Sequence, residues 1–241
     1  MKLEELKKSI SQLKEATIAF SGGIDSTLVA KIAHETLGKK AIACTIASEF
    51  TSEDDVLYSV KIAKEIGIRH KIIRINILDE KISKNPKNRC YLCKKKILLS
   101  LPGKNILDGT NADDDKKRPG MKALKEFGVF SPLKECGIKK HYVRMIAKDI
   151  GLSNYNKESN SCLATRIPFN SKITYDKLKK VETAEKILTE QDICNVRARL
   201  KDEKFILEIP GKYFKRYEES SKEINEKIYQ TNIKAIDISE R

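Results

Sequence analysis

Between an apolar run, Thr17 to Phe20, and a helical pattern, Thr27 to Leu37, lies the hexapeptide Ser21-Gly22-Gly23-Ile24-Asp25-Ser26. A strand that turns through paired glycines straight into a helix is the opening half of a βαβ unit. The same alternation continues downstream. Ala41 to Ala47 is a second apolar run, the helical Ser52 to Ile66 ends at Gly67, Arg69 to Ile77 alternates as a third strand, and Asn105 to Asp108 is a fourth. Further helices are predicted at Leu3–Leu13, Asn88–Leu101 and Lys139–Ile150. Strands joined by helices run parallel, because each helix carries the chain back to the starting edge. The expectation is an α/β fold, a doubly wound and mostly parallel sheet covered on both faces.

The pattern changes after Asn170. A helix (Thr174–Thr189), two strands (Ile193–Leu200 and Lys204–Ile209), a helix (Tyr213–Tyr229) and a strand (Ile233–Ile238) predict a small α+β unit with an antiparallel sheet. The expected organisation is one domain over 1–170 and a smaller one over 171–241.

Composition narrows the class. Hydrophobic side chains make up 40% of 241 residues, which excludes overall disorder and supplies a sizeable core. No apolar run approaches the roughly 18 residues of a membrane span. Met1 to Lys8 is charged and amphipathic, without the apolar centre of a signal peptide, so a cytoplasmic protein with no membrane partner is expected. Lys and Arg number 48 against 34 acids, a formal charge of +14. That excess favours anionic partners such as nucleotides, RNA or phosphorylated metabolites, although a solvated basic surface explains it equally. Trp is absent, and the Tyr and Phe form no stacking platform for single-stranded nucleic acid.

In an open parallel sheet, ligands bind beyond the carboxyl ends of the strands, where Ser21 to Ser26 sits. Gly22 and Gly23 let backbone N–H groups approach phosphate oxygens, and the helix N-terminus adds donors and a positive dipole end. Ser21 and Ser26 add hydroxyls, and Asp25 can order the loop or hold Mg²⁺. The simpler reading is a Gly-Ser turn capped by Asp25. Asp108-Gly109-Thr110-Asn111 ends the fourth strand at the same sheet edge, followed by Asp113, Asp114 and Asp115. Carboxylates beside a triphosphate hold Mg²⁺; a polar turn is the alternative.

Six cysteines in a cytosolic chain point to metal, redox or sulfur chemistry rather than disulfides. Cys90 and Cys93 form a C-x-x-C with no second pair to close a zinc site, and His34, His70 and His141 lack ligand spacing. Cys162, in a polar loop with Arg166 four residues on, is the best third thiol. Arg89 and Lys94 to Lys96 flank the C-x-x-C, and neighbouring cations favour thiolate. Three thiolates can hold a [4Fe–4S] cluster with one iron left open. Zinc, a redox pair or packing remain as alternatives for Cys90 and Cys93, and Cys162 can instead be the sulfur donor or a persulfide carrier. Cys44, in an apolar strand, is expected in the core, and Cys136 and Cys194 have no neighbours suggesting chemistry.

S-G-G-x-D-S resembles the pyrophosphate loop of the N-type ATP pyrophosphatases, which cleave ATP between the α and β phosphates and activate an oxygen by adenylylation. Together with N-R-C-Y-L-C-K (88–94), D-G-T-N-A-D-D (108–114), R-P-G (118–120), S-P-L (131–133), S-C-L-A-T-R-I-P (161–168) and the V-R-A-R of Val196 to Arg199, it makes the chain similar to the LarE-type ATP-dependent sulfur transferases over nearly its whole length. The resemblance implies an adenine nucleotide alpha-hydrolase-like fold, ATP and Mg²⁺ as cofactors, and a carboxylated pyridinium mononucleotide as acceptor. It implies conversion of carboxylate to thiocarboxylate in nickel-pincer nucleotide synthesis, and a homo-oligomer. One subgroup sacrifices the sulfur of the cysteine at the position of Cys162. Another carries a [4Fe–4S] cluster on three cysteines, and Cys90, Cys93 and Cys162 fit that pattern, with sulfide or another donor supplying sulfur. The resemblance further places Ser48 at the adenosine, and Glu185 in the site. Arg197 and Arg199 share one face of a strand and suit a substrate phosphate; a solvated charged face is the alternative. Arg166 is expected to place the adenylate phosphate beside Cys162. A tRNA thiolation enzyme, an amide-forming synthetase and a non-catalytic nucleotide or cluster carrier are the rival readings. Nucleic acid is the less favoured partner, since only about twenty residues precede the loop.

Overall fold

The computed structural model describes residues 2–115 and 117–241. Its elements in chain order are α1 (Lys2–Ser11), β1 (Ala16–Ala19), α2 (Ile24–Leu37), β2 (Ala41–Ala47), α3 (Glu53–Ile66), β3 (Arg69–Arg74), α4 (Glu80–Ser83), α5 (Arg89–Ser100), β4 (Ile106–Leu107), α6 (Pro119–Glu126), α7 (Pro132–Glu135), α8 (Lys140–Asp149), α9 (Tyr175–Glu190), β5 (Arg197–Lys201), β6 (Lys204–Ile209), α10 (Phe214–Tyr229) and β7 (Ala235–Glu240). They form two compact units, one comprising the chain up to Ile77 with Asn88–Ser159, the other Leu78–Lys87 with Asn160–Arg241.

In the first unit the strand order is β3-β2-β1-β4, and every pairing is parallel. Strand β1 is central and short, and its small and β-branched residues are almost wholly enclosed. Alternation along the strands feeds two cores. Ile18 and Ala43 point into one, with Leu6 and Ile10 of α1, Leu28 and Ile32 of α2, Ile62 of α3 and Val143 of α8. Their neighbours Ala19 and Cys44 belong to the other, with Leu98 of α5 and Ala123 and Leu124 of α6. Helices therefore cover both faces, as the alternating pattern predicts. Local chemistry fixes the ends: the Ser52 hydroxyl accepts from the Asp55 N–H at 3.2 Å to start α3, and Gly67 ends it at φ 76°. Among the described residues no helix is long and apolar enough to cross a membrane.

The second unit begins ten residues before the change of pattern at Asn170, and it takes in 78–87 as well. The physical reason is local. The buried Asn85 side chain donates to the carbonyls of Ile167 (3.1 Å) and Pro168 (2.7 Å), and the Asn170 N–H donates back to the Asn85 carbonyl at 2.9 Å. Its sheet has the order β5-β6-β7. Strands β5 and β6 are an antiparallel hairpin whose turn residues Asp202 and Glu203 both have positive φ, the twist that suits a two-residue loop. The expected antiparallel sheet is corrected at the last pairing, because β6 and β7 run parallel. Helix α10, expected between them, returns the chain to the same edge and makes the connection a crossover. Leu178, Val181 and Ala184 of α9, Ile224 and Ile228 of α10 and Phe205 and Leu207 of β6 fill the core of this unit.

Candidate active site

At the carboxyl end of β1 the hexapeptide forms the turn expected of it. The Ser26 hydroxyl donates to the Gly23 carbonyl at 2.9 Å and lies 3.2 Å from the Ser21 hydroxyl, which in turn accepts from the Gly23 N–H. Gly22 has φ +70°, and a Cβ there would stand 3.0 Å from Ser59 Cα, so a side chain is excluded by both conformation and space. The first-turn N–H groups of α2 have no partner within their helix and open toward the strand edge.

Side chains from outside the hexapeptide hold it. The Asp25 carboxylate is paired with the Lys140 ammonium and accepts from the Asn111 amide at 3.1 Å. Asn154, 2% exposed, donates to the Gly22 carbonyl and to the Thr27 hydroxyl, each at 2.9 Å, while its own Oδ1 has no partner. Lys157 stands with its ammonium 3.1 Å from the centre of the Tyr58 ring, and Tyr58 in turn lies against Gly22. Burial, opposed by Asp55, holds the Lys157 ammonium below the usual lysine range. Lys140, Asn154 and Lys157 escape sequence reasoning: they sit in a helix start and in an aperiodic polar stretch, and only their contacts mark them.

The tip of β4 closes on the same loop. A Cβ on Gly109 would stand 2.7 Å from the Ser26 nitrogen, so this glycine lets the two segments touch. Asp108 is buried, accepting from the Thr110 N–H (3.1 Å), the Thr110 hydroxyl (2.6 Å) and the Ser131 hydroxyl (2.7 Å). Asp113, Asp114 and Asp115 accept from the backbone N–H groups of Lys140, Asn111 and Lys117 respectively, so these carboxylates shape the turn. Ser48 ends β2 and starts a turn, its hydroxyl 3.3 Å from that of Thr51.

Cys90 is exposed and Cys93 half-buried on α5, and their spacing of three puts both thiols on one side of the helix. Cys44 is buried in the core, which raises its thiol pKa.

In the second unit Cys162 is exposed and caps the short 3-10 turn Leu163–Arg166. That turn is built on Arg166, whose side chain is fully enclosed. Arg166 donates to both Glu185 oxygens (2.6 and 3.1 Å), to the Ser161 carbonyl (3.0 Å) and hydroxyl (2.6 Å), to the Thr165 hydroxyl (2.8 Å) and to Asn160 Oδ1 (3.1 Å). Thr165 passes its proton to the Cys162 carbonyl at 2.7 Å. Glu185 also accepts from the Ala198 N–H of β5 at 3.0 Å. These contacts tie the guanidinium into the turn that begins at Cys162. Arg197 and Arg199 flank Ala198 on the same side of β5. Arg199 pairs with Glu208 and donates to the Thr165 carbonyl at 3.2 Å. The Arg197 side chain makes no hydrogen bond among the described residues; burial first, then the guanidiniums of Arg241, Arg166 and Arg199, hold it below the usual arginine range.

Among the described residues no group of three or more His, Cys, Asp or Glu side chains is assembled as for a metal ion. Cys90 and Cys93 belong to the first unit and Cys162 to the second. The donors have the chemistry an iron–sulfur cluster uses.

The family described as NAD synthase matches residues 3–97, the segment holding the hexapeptide and the first three strands. Three curated relatives span most of the chain. A protein of Synechocystis described as uncharacterised is 36% identical over 225 residues, covering 90% of this chain and 84% of its own. The pyridinium-3,5-bisthiocarboxylic acid mononucleotide synthase of Lactiplantibacillus plantarum is 33% identical over 215 residues, 85% of this chain and 78% of that one. An uncharacterised protein of Methanocaldococcus jannaschii is 33% identical over 237 residues, 94% and 88% of the two chains.

Proposed function

This chain belongs to the LarE-type family of ATP-dependent sulfur transferases within the PP-loop superfamily, and we propose that it converts the carboxylates of a pyridinium-3,5-dicarboxylate mononucleotide to thiocarboxylates. The observation that carries this reading is the hexapeptide turn, seated at the sheet edge and braced by Lys140, Asn111 and Asn154. The turn holds ATP and Mg²⁺. A carboxylate oxygen of the acceptor attacks the α-phosphorus, forming an acyl-adenylate as the bond to the β-phosphate breaks and pyrophosphate leaves. Backbone N–H groups of the turn and the first turn of α2 stabilise the charge that develops. A sulfur nucleophile then attacks the acyl carbon, and AMP leaves with the oxygen and its electron pair. Asp25 supplies the one carboxylate of the hexapeptide and is the residue of the turn that would meet Mg²⁺. Ser48 meets the adenosine, and Asp108 to Thr110 shape the wall beside it.

Cys90, Cys93 and Cys162 would hold a [4Fe–4S] cluster, which, when bound, leaves one iron able to carry hydrosulfide. Arg166 and Glu185 keep the Cys162 turn in place, and Arg197 with Arg199 receives the acceptor's phosphate. The homo-oligomer of the family extends to this chain as an expectation.

The test is product analysis with Mg²⁺-ATP, the dicarboxylate mononucleotide and sulfide under anaerobic conditions. AMP, pyrophosphate and thiocarboxylate are expected in step; ADP as product overturns the assignment. Iron and acid-labile sulfide on anaerobic protein test the cluster, and an iron-free protein with full transfer removes it. A mass loss of one sulfur at Cys162 after turnover would make that residue the donor. Arg197→Ala is expected to raise the acceptor KM about tenfold with the ATP KM unchanged, since a charged partner contributes roughly that much. An unaltered acceptor KM would take Arg197 out of the site.

A further inference from the structure

A cleft of about 860 Å³ opens in the first unit between α5, α6 and α7. Its size is that of a small-molecule site. Five cations line it, Lys117, Arg118, Lys122, Lys125 and Lys134, against a single carboxylate, Glu135. Arg118 is partly offset by Asp114 at 2.9 Å, and the Lys122 ammonium leans over the Tyr91 ring at 5.2 Å. Met121, Leu124 and Val129 give it an apolar side. An apolar wall under a cationic rim takes a flat ring that carries negative charge.

The position of the cleft adds the second argument. One of its lining residues, Ser131, donates its hydroxyl to Asp108 at 2.7 Å. The next residue, Gly109, lies against Asp25 and Ser26 of the ATP-binding turn. The cleft and the turn thus share the tip of β4 as a common wall, all within one compact unit. On the other side its wall is Asn88 and Tyr91, immediately beside Cys90. A carboxylate that is to be adenylylated must lie beside the α-phosphate, and one that is to be thiolated must be reachable by sulfur.

We propose that this cleft binds the aromatic dicarboxylate end of the acceptor, its ring against Met121, Leu124 and Val129 and its carboxylates among Arg118, Lys122, Lys125 and Lys134. The inference rests on the sulfur-transfer reading above and adds to it a ring-and-carboxylate subsite within the first unit.

The probe is pyridine-3,5-dicarboxylate, titrated onto the full chain at fixed salt by calorimetry, with inorganic phosphate and acetate as competitors. The double variant Lys122→Glu with Lys125→Glu is expected to weaken its binding about tenfold or more while ATP affinity moves less than about twofold. Lys8→Glu with Lys14→Glu, the same charge change on exposed positions outside the cleft, is expected to leave the probe's affinity as it was. Met121→Ala, which removes apolar wall and no charge, is expected to weaken the probe severalfold. Probe affinity unchanged in the cleft variants overturns the proposal. So does an equal loss in both double variants, or displacement by acetate as readily as by a second aromatic dicarboxylate, since any of these reduces the effect to net charge. If the probe binds as expected yet AMP and pyrophosphate never form with the mononucleotide, the sulfur-transfer reading fails and the subsite stands. If the products form and the cleft variants are silent, the subsite fails alone.

Discussion

Among the described residues, the bulkiest fully buried side chain is a charged one, Arg166. Burying a guanidinium is tolerated only with full hydrogen bonding, and here Glu185, Ser161, Thr165 and Asn160 provide it. Arg166→Met would leave Glu185 facing the interior without its partner, a loss of about 3 kcal/mol by precedent for broken buried pairs. The expected result is a lower urea midpoint and sulfur transfer reduced at least tenfold with ATP affinity intact. Arg166→Lys should recover stability in part but little transfer, because one ammonium cannot span the partners of a planar fork. Product rates for the two variants side by side check this; full transfer in Arg166→Met would reduce the residue to a packing role. The sequence marks Arg166 as near Cys162, but its ionic partner, Glu185, comes from α9 nineteen positions away, which spacing alone cannot reveal.

At the scale of elements, the turn after β1 shows how a loop borrows rigidity from a segment with no regular structure of its own. Asn154 lies 132 positions from Gly22 in sequence and bonds its carbonyl. Asn154→Ala removes the donor for Gly22 and Thr27, and also an acceptor that has no partner, so about 1 kcal/mol is expected. That should appear as an ATP KM raised about fivefold with the acceptor KM steady; steady-state kinetics in both substrates distinguishes this from general unfolding. The elements themselves were largely legible, since Ala41–Ala47, Lys204–Ile209 and the hexapeptide follow directly from apolar runs and glycines. The direction of β7 was not, because Ala235 to Glu240 alternates equally well whichever way it pairs, and the deciding fact is the path of α10. The contacts of Lys140, Asn154 and Lys157 were not legible either: each depends on loops folding back from far along the chain.

For the whole molecule, acid sensitivity has an identifiable source next to the turn. The His70 ring lies 2.8 Å from the Thr45 hydroxyl, whose proton goes to the Phe20 carbonyl, so Nε2 carries the ring hydrogen. Burial holds His70 below its ordinary value of 6.5. A histidine with a lowered folded-state pKa contributes stability in full above the unfolded value and loses it as the pH falls through the folded one. Melting temperature should therefore start to fall as the pH drops below about 6.5, and His70→Asn should show a shallower fall. Parallel curves for the two proteins would assign the acid loss to carboxylates instead.

The path of the chain through the two units also bears on how the protein is made. Residues 78–87 leave the ribosome early, yet the Asn85 side-chain amide donates to the carbonyls of Ile167 and Pro168. The nascent polypeptide carries this stretch without those two carbonyls while some eighty further residues are translated. A truncation ending at Ser159 would consequently expose it as a site for proteases or chaperones, even with the parallel sheet already formed.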